Sequence, residues 1–233
     1  QAAADRNIAV GHSPGANASS VADLAIALIL TVTRRLFAAD NYVRSGDWAA
    51  AKASPMMRPQ AGMPGRKIGI YGMGEIGRRI AARAAAFETE VGYFSRSRRD
   101  VPYRYFPSLA ELADWCSVLV IAVRAGKDNH EAVDAEILKA LGADGYLVNI
   151  ARGTVVDQIA LVQALADHTI AGAGLDVYAN EPHVPDELTG LPNVVLTPHI
   201  GGHTLESHAA MQDCVIANLA AFFAGERLVY PVQ

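Results

Sequence analysis

Thiols are nearly absent from this 233-residue chain. Cys116 and Cys214 are the two, each among apolar residues and neither at a metal-ligand spacing. That excludes a disulfide scaffold and a cysteine-held metal, and the pair is expected to be reduced core residues of a cytoplasmic protein. A charge of one sign is missing as well. Twenty Lys+Arg against 24 Asp+Glu leave −4, no footprint for nucleic acid or an anionic membrane surface. The longest apolar run, from Leu24 to Val32, is bounded by Asp23 and Arg34, far short of the ~20 residues that span a bilayer. No signal peptide, internal repeat or low-complexity tract stands out. The chain opens on Gln1 rather than methionine, in what reads as mid-domain sequence, so a fragment of a longer protein is expected. Apolar material is plentiful: 51% hydrophobic against 19% charged residues, enough for one large or two small domains.

The stretch around which the rest is organised is KIGIYGMGEIG, residues 67–77, a buried strand running into a glycine-rich turn. In Gly72-Met73-Gly74-Glu75-Ile76-Gly77 the first glycine permits the tight turn and the second lets backbone approach a pyrophosphate. The third lets the next helix pack on the sheet. That helix, read over residues 78–87, aims its first N–H groups and positive dipole end at the phosphates. Glycines alone are a weak signal, and an ordinary strand–turn–helix is the rival. The apolar strand before them and the alanine-rich helix after them supply the context a dinucleotide site requires.

Upstream, residues 7–13 read as a short strand ending in the turn Pro14-Gly15. Ser19 or Ser20 can cap a helix over residues 21–39, apolar on nearly every face and so buried against a sheet or another subunit. Residues 41–65 have no clear period, and Trp48, Met56 and Met57 there suit a subunit contact. Downstream, strands over residues 90–95, 117–123, 145–151, 171–177 and 193–197 alternate with helices over 108–114, 134–141, 157–166 and 204–224. Strands apolar on both faces that alternate with helices predict an α/β fold, a doubly wound parallel sheet of Rossmann type. Its ligands lie at the carboxyl ends of the strands.

NAD-selective folds place an acid about 20 residues beyond the glycine motif, on the ribose 2′-hydroxyl. Here the second strand ends Tyr93-Phe94-Ser95-Arg96-Ser97-Arg98-Arg99, with no acid before Asp100. Arg96 offers a bidentate fork, and Ser95 and Ser97 add short donors, a set that suits a 2′-phosphate. NADP(H) is therefore the preferred cofactor and NAD(H) the alternative; a solvated basic turn is the plainer account.

Three further segments fall at predicted strand ends: Asn149-Ile150-Ala151-Arg152-Gly153, then Asp176-Val177-Tyr178-Ala179-Asn180-Glu181-Pro182, then Thr197-Pro198-His199-Ile200-Gly201-Gly202. An arginine, a carboxylate and a histidine at neighbouring strand ends are what carbonyl reduction needs. The arginine holds a substrate carboxylate and polarises its carbonyl, and the histidine donates a proton as hydride arrives. The carboxylate orients the imidazole and favours its charged form. Singly, Arg152 reads as a turn cap, Glu181 as a turn residue and His199 as a packed histidine. His203 follows His199 by four, but Gly201-Gly202 between them argues against a helical metal pair.

The stretches HSPGANASSVADLAIALIL, GMGEIGRRIAARAAAF, VGYFSRSRR, LVNIARGTVVD, AGAGLDVYANEP and LTPHIGG span nearly the whole chain. In these residues and their order the sequence resembles the D-isomer-specific 2-hydroxyacid dehydrogenases, most of all their hydroxypyruvate, glyoxylate and hydroxyphenylpyruvate reductase branch. The resemblance implies that Arg152 binds substrate, that Glu181 pairs with His199, and that Asp176 contacts the nicotinamide carboxamide. It implies that backbone around Val123, Ile150, Ala151 and Gly201 lines the cofactor, and that hydride passes to a 2-oxo acid to give the D-2-hydroxy acid. A homodimer formed through the nucleotide domain and its arm is also implied. On the same ground, residues 1–13 are a remnant of a smaller substrate-binding domain and 14–202 the dinucleotide-binding domain, with 20–65 as helix and subunit arm. Residues 203–233 are then a C-terminal helix returning to the substrate domain.

The chain departs from the family in places. Most of the substrate domain, with the glycine-containing loop that holds the substrate carboxylate, lies outside it. After Val123 it reads Arg124-Ala125-Gly126-Lys127 where relatives have a polar-x-Thr-Pro turn, two cations read here as a solvated turn rather than a phosphate contact. Gly202-His203 replaces the usual small pair after HIG. The leading expectation is NADPH-dependent reduction of glyoxylate, hydroxypyruvate or a bulkier analogue. The rivals are a nucleotide-sensing binding protein, like the corepressors that share this fold, and an inactive dimerising remnant that only binds nucleotide.

Overall fold

Each strand of the central sheet is short, because its burial is complete within one crossing. A computed structural model describes residues 2–54 and 59–232. Among them seven parallel strands form one sheet: β1 Lys67–Tyr71, β2 Glu90–Phe94, β3 Arg104–Phe106, β4 Val118–Ile121, β5 Tyr146–Asn149, β6 Gly172–Leu175 and β7 Val194–Leu196. Their order is β3-β2-β1-β4-β5-β6-β7, with Ile70 facing Tyr93 on one side and Val120 on the other. The helices are α1 Ala18–Thr33, α2 Leu36–Arg44, α3 Glu75–Ala85, α4 Leu109–Trp115, α5 Ala135–Leu141, α6 Gln158–Ala166, α7 Asp186–Thr189 and α8 Leu205–Phe223.

Period-2 alternation sorts the apolar strand residues between two cores. Ile68, Ile70, Tyr93, Val118, Val120 and Val148 point to the layer built by α1 and α3. Tyr71, Leu119, Ile121, Leu147 and Leu175 point to the layer of α4, α5 and α6. Both faces are covered, so the strands read as continuous apolar runs. The N-caps of four helices are local side-chain contacts. Ser108, Asp134, Asp157 and Thr204 each accept backbone N–H bonds from the first turn of α4, α5, α6 and α8.

Several expectations need correction. The helix read over 21–39 is α1, which starts at Ala18 and stops at Thr33. Neither Ser19 nor Ser20 caps it: Ser19 Oγ accepts from Arg83, and Ser20 Oγ bonds Thr204 and Ser207. Burial substitutes for the cap. Val21, Ile26, Leu28, Ile29 and Val32 are all buried, each stabilising by roughly 1.5–3 kcal/mol against about 1 kcal/mol for a cap. Past Thr33 the sheet is already covered. Arg35 turns the chain in a left-handed conformation (φ 50°), and α2 continues with no buried residue. Part of the aperiodic 41–65 segment is thus helical; Trp48 is 60% exposed, and Met56 and Met57 lie outside the described residues.

Residues 7–13 form no strand of the sheet. They make one antiparallel bridge, Gly11 to Pro231, with the C-terminal tail. β3 and α7 were not expected, since three or four residues are too few to display a period. β3 is recruited by register, Phe106 pairing with Phe94, and by the Phe106–Trp115 ring contact. Cys116 is a core residue whose thiol burial pushes up to about 12. Cys214, on α8, is only partly buried. The helix expected over 78–87 begins earlier, at Glu75, and this matters for the site.

Candidate active site

β1 and β4 lie side by side at the centre of the sheet, and the chain leaves them in opposite directions, β1 towards β2 and β4 towards β5. The crevice beyond their carboxyl ends is where an open α/β sheet receives ligands. The glycine turn sits there for steric reasons. Gly72 has φ 104°, and a Cβ on it would lie 2.7 Å from the Val123 Cα. A Cβ on Gly77 would lie 2.0 Å from the Gly72 carbonyl oxygen, so the turn and the first coil of α3 pack backbone to backbone. Gly74 is the opposite case: a Cβ there would meet nothing within 4 Å. Gly74 is also the N-cap of α3, which no side chain caps. Open space, uncapped N–H donors and a positive dipole end together fit a diphosphate.

The open space is a cleft in two adjoining sections. One, about 630 Å³, is lined by Gly72, Met73 and Gly74 together with Ser95, Arg96 and Arg99. The other, about 450 Å³, is lined by Gly74, Glu75, Ile76, Ile150, Ala151 and Arg152. Val123 and Arg124 line both. At the β2 end, Ser95 is buried and its Oγ donates to the Ser97 carbonyl at 2.8 Å, closing the turn; Ser97 itself is exposed. Arg99 was not singled out from the sequence. Tyr93 Oη holds it, donating to its carbonyl (3.0 Å) and accepting its N–H (2.8 Å). Arginines at 96, 98 and 99 carry no signal of which will face inward; turn geometry decides. Of the two cations after Val123, both are exposed; Lys127 is on a 3-10 turn and Arg124 lines the cleft. Asn129 secures that loop, accepting from the Gly126 N–H (2.8 Å) and donating to the Arg124 carbonyl (2.9 Å).

At the other end three loops converge. After β5, buried Asn149 accepts the Ala151 N–H (3.0 Å) and donates to the Arg152 carbonyl (3.1 Å), which sets the turn that presents Arg152. Gly153 lets that turn lie against the next: a Cβ there would be 1.9 Å from the Tyr178 carbonyl carbon. Glu181 accepts the Tyr178 N–H at 3.0 Å through Oε1 and meets His199 Nδ1 at 2.7 Å through Oε2. Burial would raise the Glu181 carboxyl. The His199 and Tyr178 hydrogen bonds and the charges of His199 and Arg152 outweigh it and hold the group below its ordinary 4.5.

Behind the pair, Tyr178 Oη donates to the carbonyls of Thr197 (2.9 Å) and Leu175 (3.3 Å). Burial, with the Asp176 carboxylate beside it, pushes that phenol up to about 12, so it stays a neutral donor. Asp176 is 2% exposed and hydrogen-bonds the loop that carries His199, and Gly201 is buried with its N–H on this carboxylate. Tyr178 and Thr197 escaped the sequence reading because a phenol and a hydroxyl beside a proline look like any loop polar group. Their adjacency to Asp176 and His199 was the available hint.

The arrangement offers a phosphate-binding turn at one end and, at the other, a guanidinium with a carboxylate-bonded imidazole. Comparison with known proteins points the same way. The family model for the D-isomer specific 2-hydroxyacid dehydrogenase NAD binding domain matches residues 26–201. Glyoxylate/hydroxypyruvate reductase A HPR2 of Arabidopsis thaliana is 44% identical over 229 residues, covering 98% of this chain and 72% of the relative. The 2-ketogluconate reductase of Gluconobacter oxydans is 44% identical over 228 residues, 97% and 72% respectively. Among solved structures, an NADPH-dependent glyoxylate/hydroxypyruvate reductase from Sinorhizobium meliloti in complex with NADP and malonate superposes with a TM-score of 0.92. It is 40% identical, and the match covers 100% of this chain and 72% of that one.

Proposed function

Since the chain belongs to the D-isomer-specific 2-hydroxyacid dehydrogenase family and is an NAD(P)-dependent oxidoreductase, we propose that it reduces a small 2-oxo acid of the glyoxylate or hydroxypyruvate kind to the D-2-hydroxy acid. The observation that carries this reading is the Glu181–His199 contact at 2.7 Å next to Arg152. NADPH, when bound, supplies the hydride. Arg152 binds the substrate carboxylate and draws electron density from the carbonyl. With Nδ1 engaged by Glu181, His199 presents Nε2 to the carbonyl oxygen and donates its proton there, while the nearby carboxylate stabilises the imidazolium before transfer.

NADP(H) is the preferred cofactor in this reading. Arg96 and Arg99 line the cleft beyond β2, and no acid stands between Phe94 and Asp100. The Sinorhizobium meliloti reductase is named NADPH-dependent and was solved with NADP. Ser95 and Ser97, tied by the Ser95 hydroxyl to the Ser97 carbonyl, would shape the turn that receives a 2′-phosphate, and backbone around Met73, Val123, Ile150, Ala151 and Gly201 would line the cofactor. The proposed organisation keeps residues 14–202 as the dinucleotide-binding domain, 1–13 and 203–233 as parts that adjoin a substrate domain, and the arm at 20–65 as a homodimer contact. The exposed Phe37, Val43 and Trp48 support that contact. Two unpaired cysteines fit a reducing compartment, and the cytoplasm is the proposed location.

The test is to follow NADPH and NADH oxidation with glyoxylate and with hydroxypyruvate. Turnover of either acid, faster with NADPH, is the expected result. Tight nucleotide binding with neither acid reduced would replace the proposal with a nucleotide-sensing or non-catalytic role.

A further inference from the structure

Asp176 stands at the end of β6, its own N–H tied to the Asn149 carbonyl at 3.0 Å. The residue is 2% exposed. Oδ1 accepts from Thr197 Oγ1 at 2.6 Å and from the Ile200 N–H at 2.9 Å, and Oδ2 accepts the Gly201 N–H at 2.9 Å. The three donors flank His199 on both sides, two residues before it and one and two residues after. Between them His199 itself is left-handed, with φ 54°, a conformation that a Cβ disfavours. Such a backbone persists only where its surroundings impose it. Here neutral donors on both flanks converge on one buried charge, and charge-assisted hydrogen bonds are about twice as strong as neutral ones. A carboxylate has about four acceptor sites, so three are taken by the loop.

We propose that Asp176 is a positioning residue for the reaction: it clamps residues 197–201 in the one conformation that turns the His199 imidazole onto Glu181. This deepens the proposed role of His199 and rests on it. It is separate from a contact with the nicotinamide carboxamide, for which one acceptor site remains. Removing the clamp changes how often the imidazole is in place, not whether cofactor or substrate binds.

The experiment compares Asp176→Asn, Thr197→Val and Thr197→Ser with the wild type. An amide at position 176 turns one acceptor into a donor facing donors. Asp176→Asn should lower kcat with hydroxypyruvate about 10- to 100-fold, the scale of a small misplacement of a reacting group. For Thr197→Val, KM for the oxo acid and Kd for NADPH should stay within about threefold, because the Thr197 hydroxyl is spent on Asp176 and contacts neither ligand. The Glu181 carboxyl, followed by 13C NMR, should titrate closer to its ordinary value once His199 leaves it. Thr197→Val should lower kcat several-fold and Thr197→Ser should restore it. NADPH binding weakened tenfold or more with kcat unchanged would overturn the proposal in favour of a cofactor contact. Unchanged Glu181 titration in Asp176→Asn would overturn it too. If Asp176→Asn does not fold, equal turnover in the two Thr197 variants and the wild type overturns it. The Glu181 titration is read in the free protein, so the clamp can stand even where His199→Ala retains turnover and the proton-donor role falls.

Discussion

At the glycine turn every decisive contact is made by backbone: Gly72 against Val123, and Gly77 against the Gly72 carbonyl. At the other end of the same cleft the decisive groups are side chains from three loops, and Glu181 and His199 remain 33% and 44% exposed. The first end is set by steric exclusion, which admits few residues and acts over a few positions of sequence. The second is set by charge and hydrogen bonding between segments that are adjacent only because β5, β6 and β7 are neighbours. An ion pair this exposed is worth about 0–1 kcal/mol to folding. The reacting end therefore contributes little to stability, and its geometry is explained by chemistry rather than by packing.

That contrast can be broken or sharpened by mutation. The largest effect is expected at the reacting end: His199→Ala should cut turnover by roughly two to four orders of magnitude, with Kd for NADPH and the melting temperature barely moved. Unchanged turnover would remove His199 from the chemistry. At the nucleotide end the prediction inverts. Gly77→Val should cost about 3 kcal/mol, the upper end for overpacking because the opposing atom is backbone, and nucleotide affinity should fall with stability in fluorescence titrations and thermal melts. A stable Gly77→Val that binds nucleotide normally would refute the steric account.

Arg96→Ala should weaken NADPH about 10- to 100-fold, the range of a lost charge-assisted hydrogen bond, and leave NADH within about twofold. Equal loss for both cofactors would assign Arg96 to some other contact. Asp157→Ala, at the cap of α6, should lower stability by about 1 kcal/mol without altering cofactor selectivity. The smallest effect is electrostatic. Because the folded-state Glu181 carboxyl lies below 4.5, its contribution to stability is present above pH 4.5 and is lost as pH falls through the folded value. The wild type minus Glu181→Gln difference in melting temperature should thus shrink as pH falls below 4.5. Tyr178 acts at the other extreme: its contribution is present below pH 10 and lost as pH rises from 10 through about 12.

Much of this is legible in the sequence, wherever the physical cause is local. The starts of α4, α5, α6 and α8 were legible, and there the side-chain oxygens of Ser108, Asp134, Asp157 and Thr204 satisfy N–H groups two or three residues on. The strand cores were legible because both faces of a parallel sheet are buried. The stop of α1 at Thr33 was not: Leu36 and Phe37 continue the apolar pattern, and only the edge of the sheet ends the helix. Residues 7–13 were misread for the same kind of reason, since their partner is the tail around Pro231.

By itself, then, the sequence determined the α/β alternation, the glycine turn and which residue types stand at the strand ends, because each follows from contacts within a few residues. Tertiary structure alone decided that Arg99 faces the cleft, that Tyr178 braces two loops, and that Asp176 grips both flanks of His199. Those contacts join segments about 20 or more residues apart, brought together by strand order, and a spacing along the chain carries no record of them.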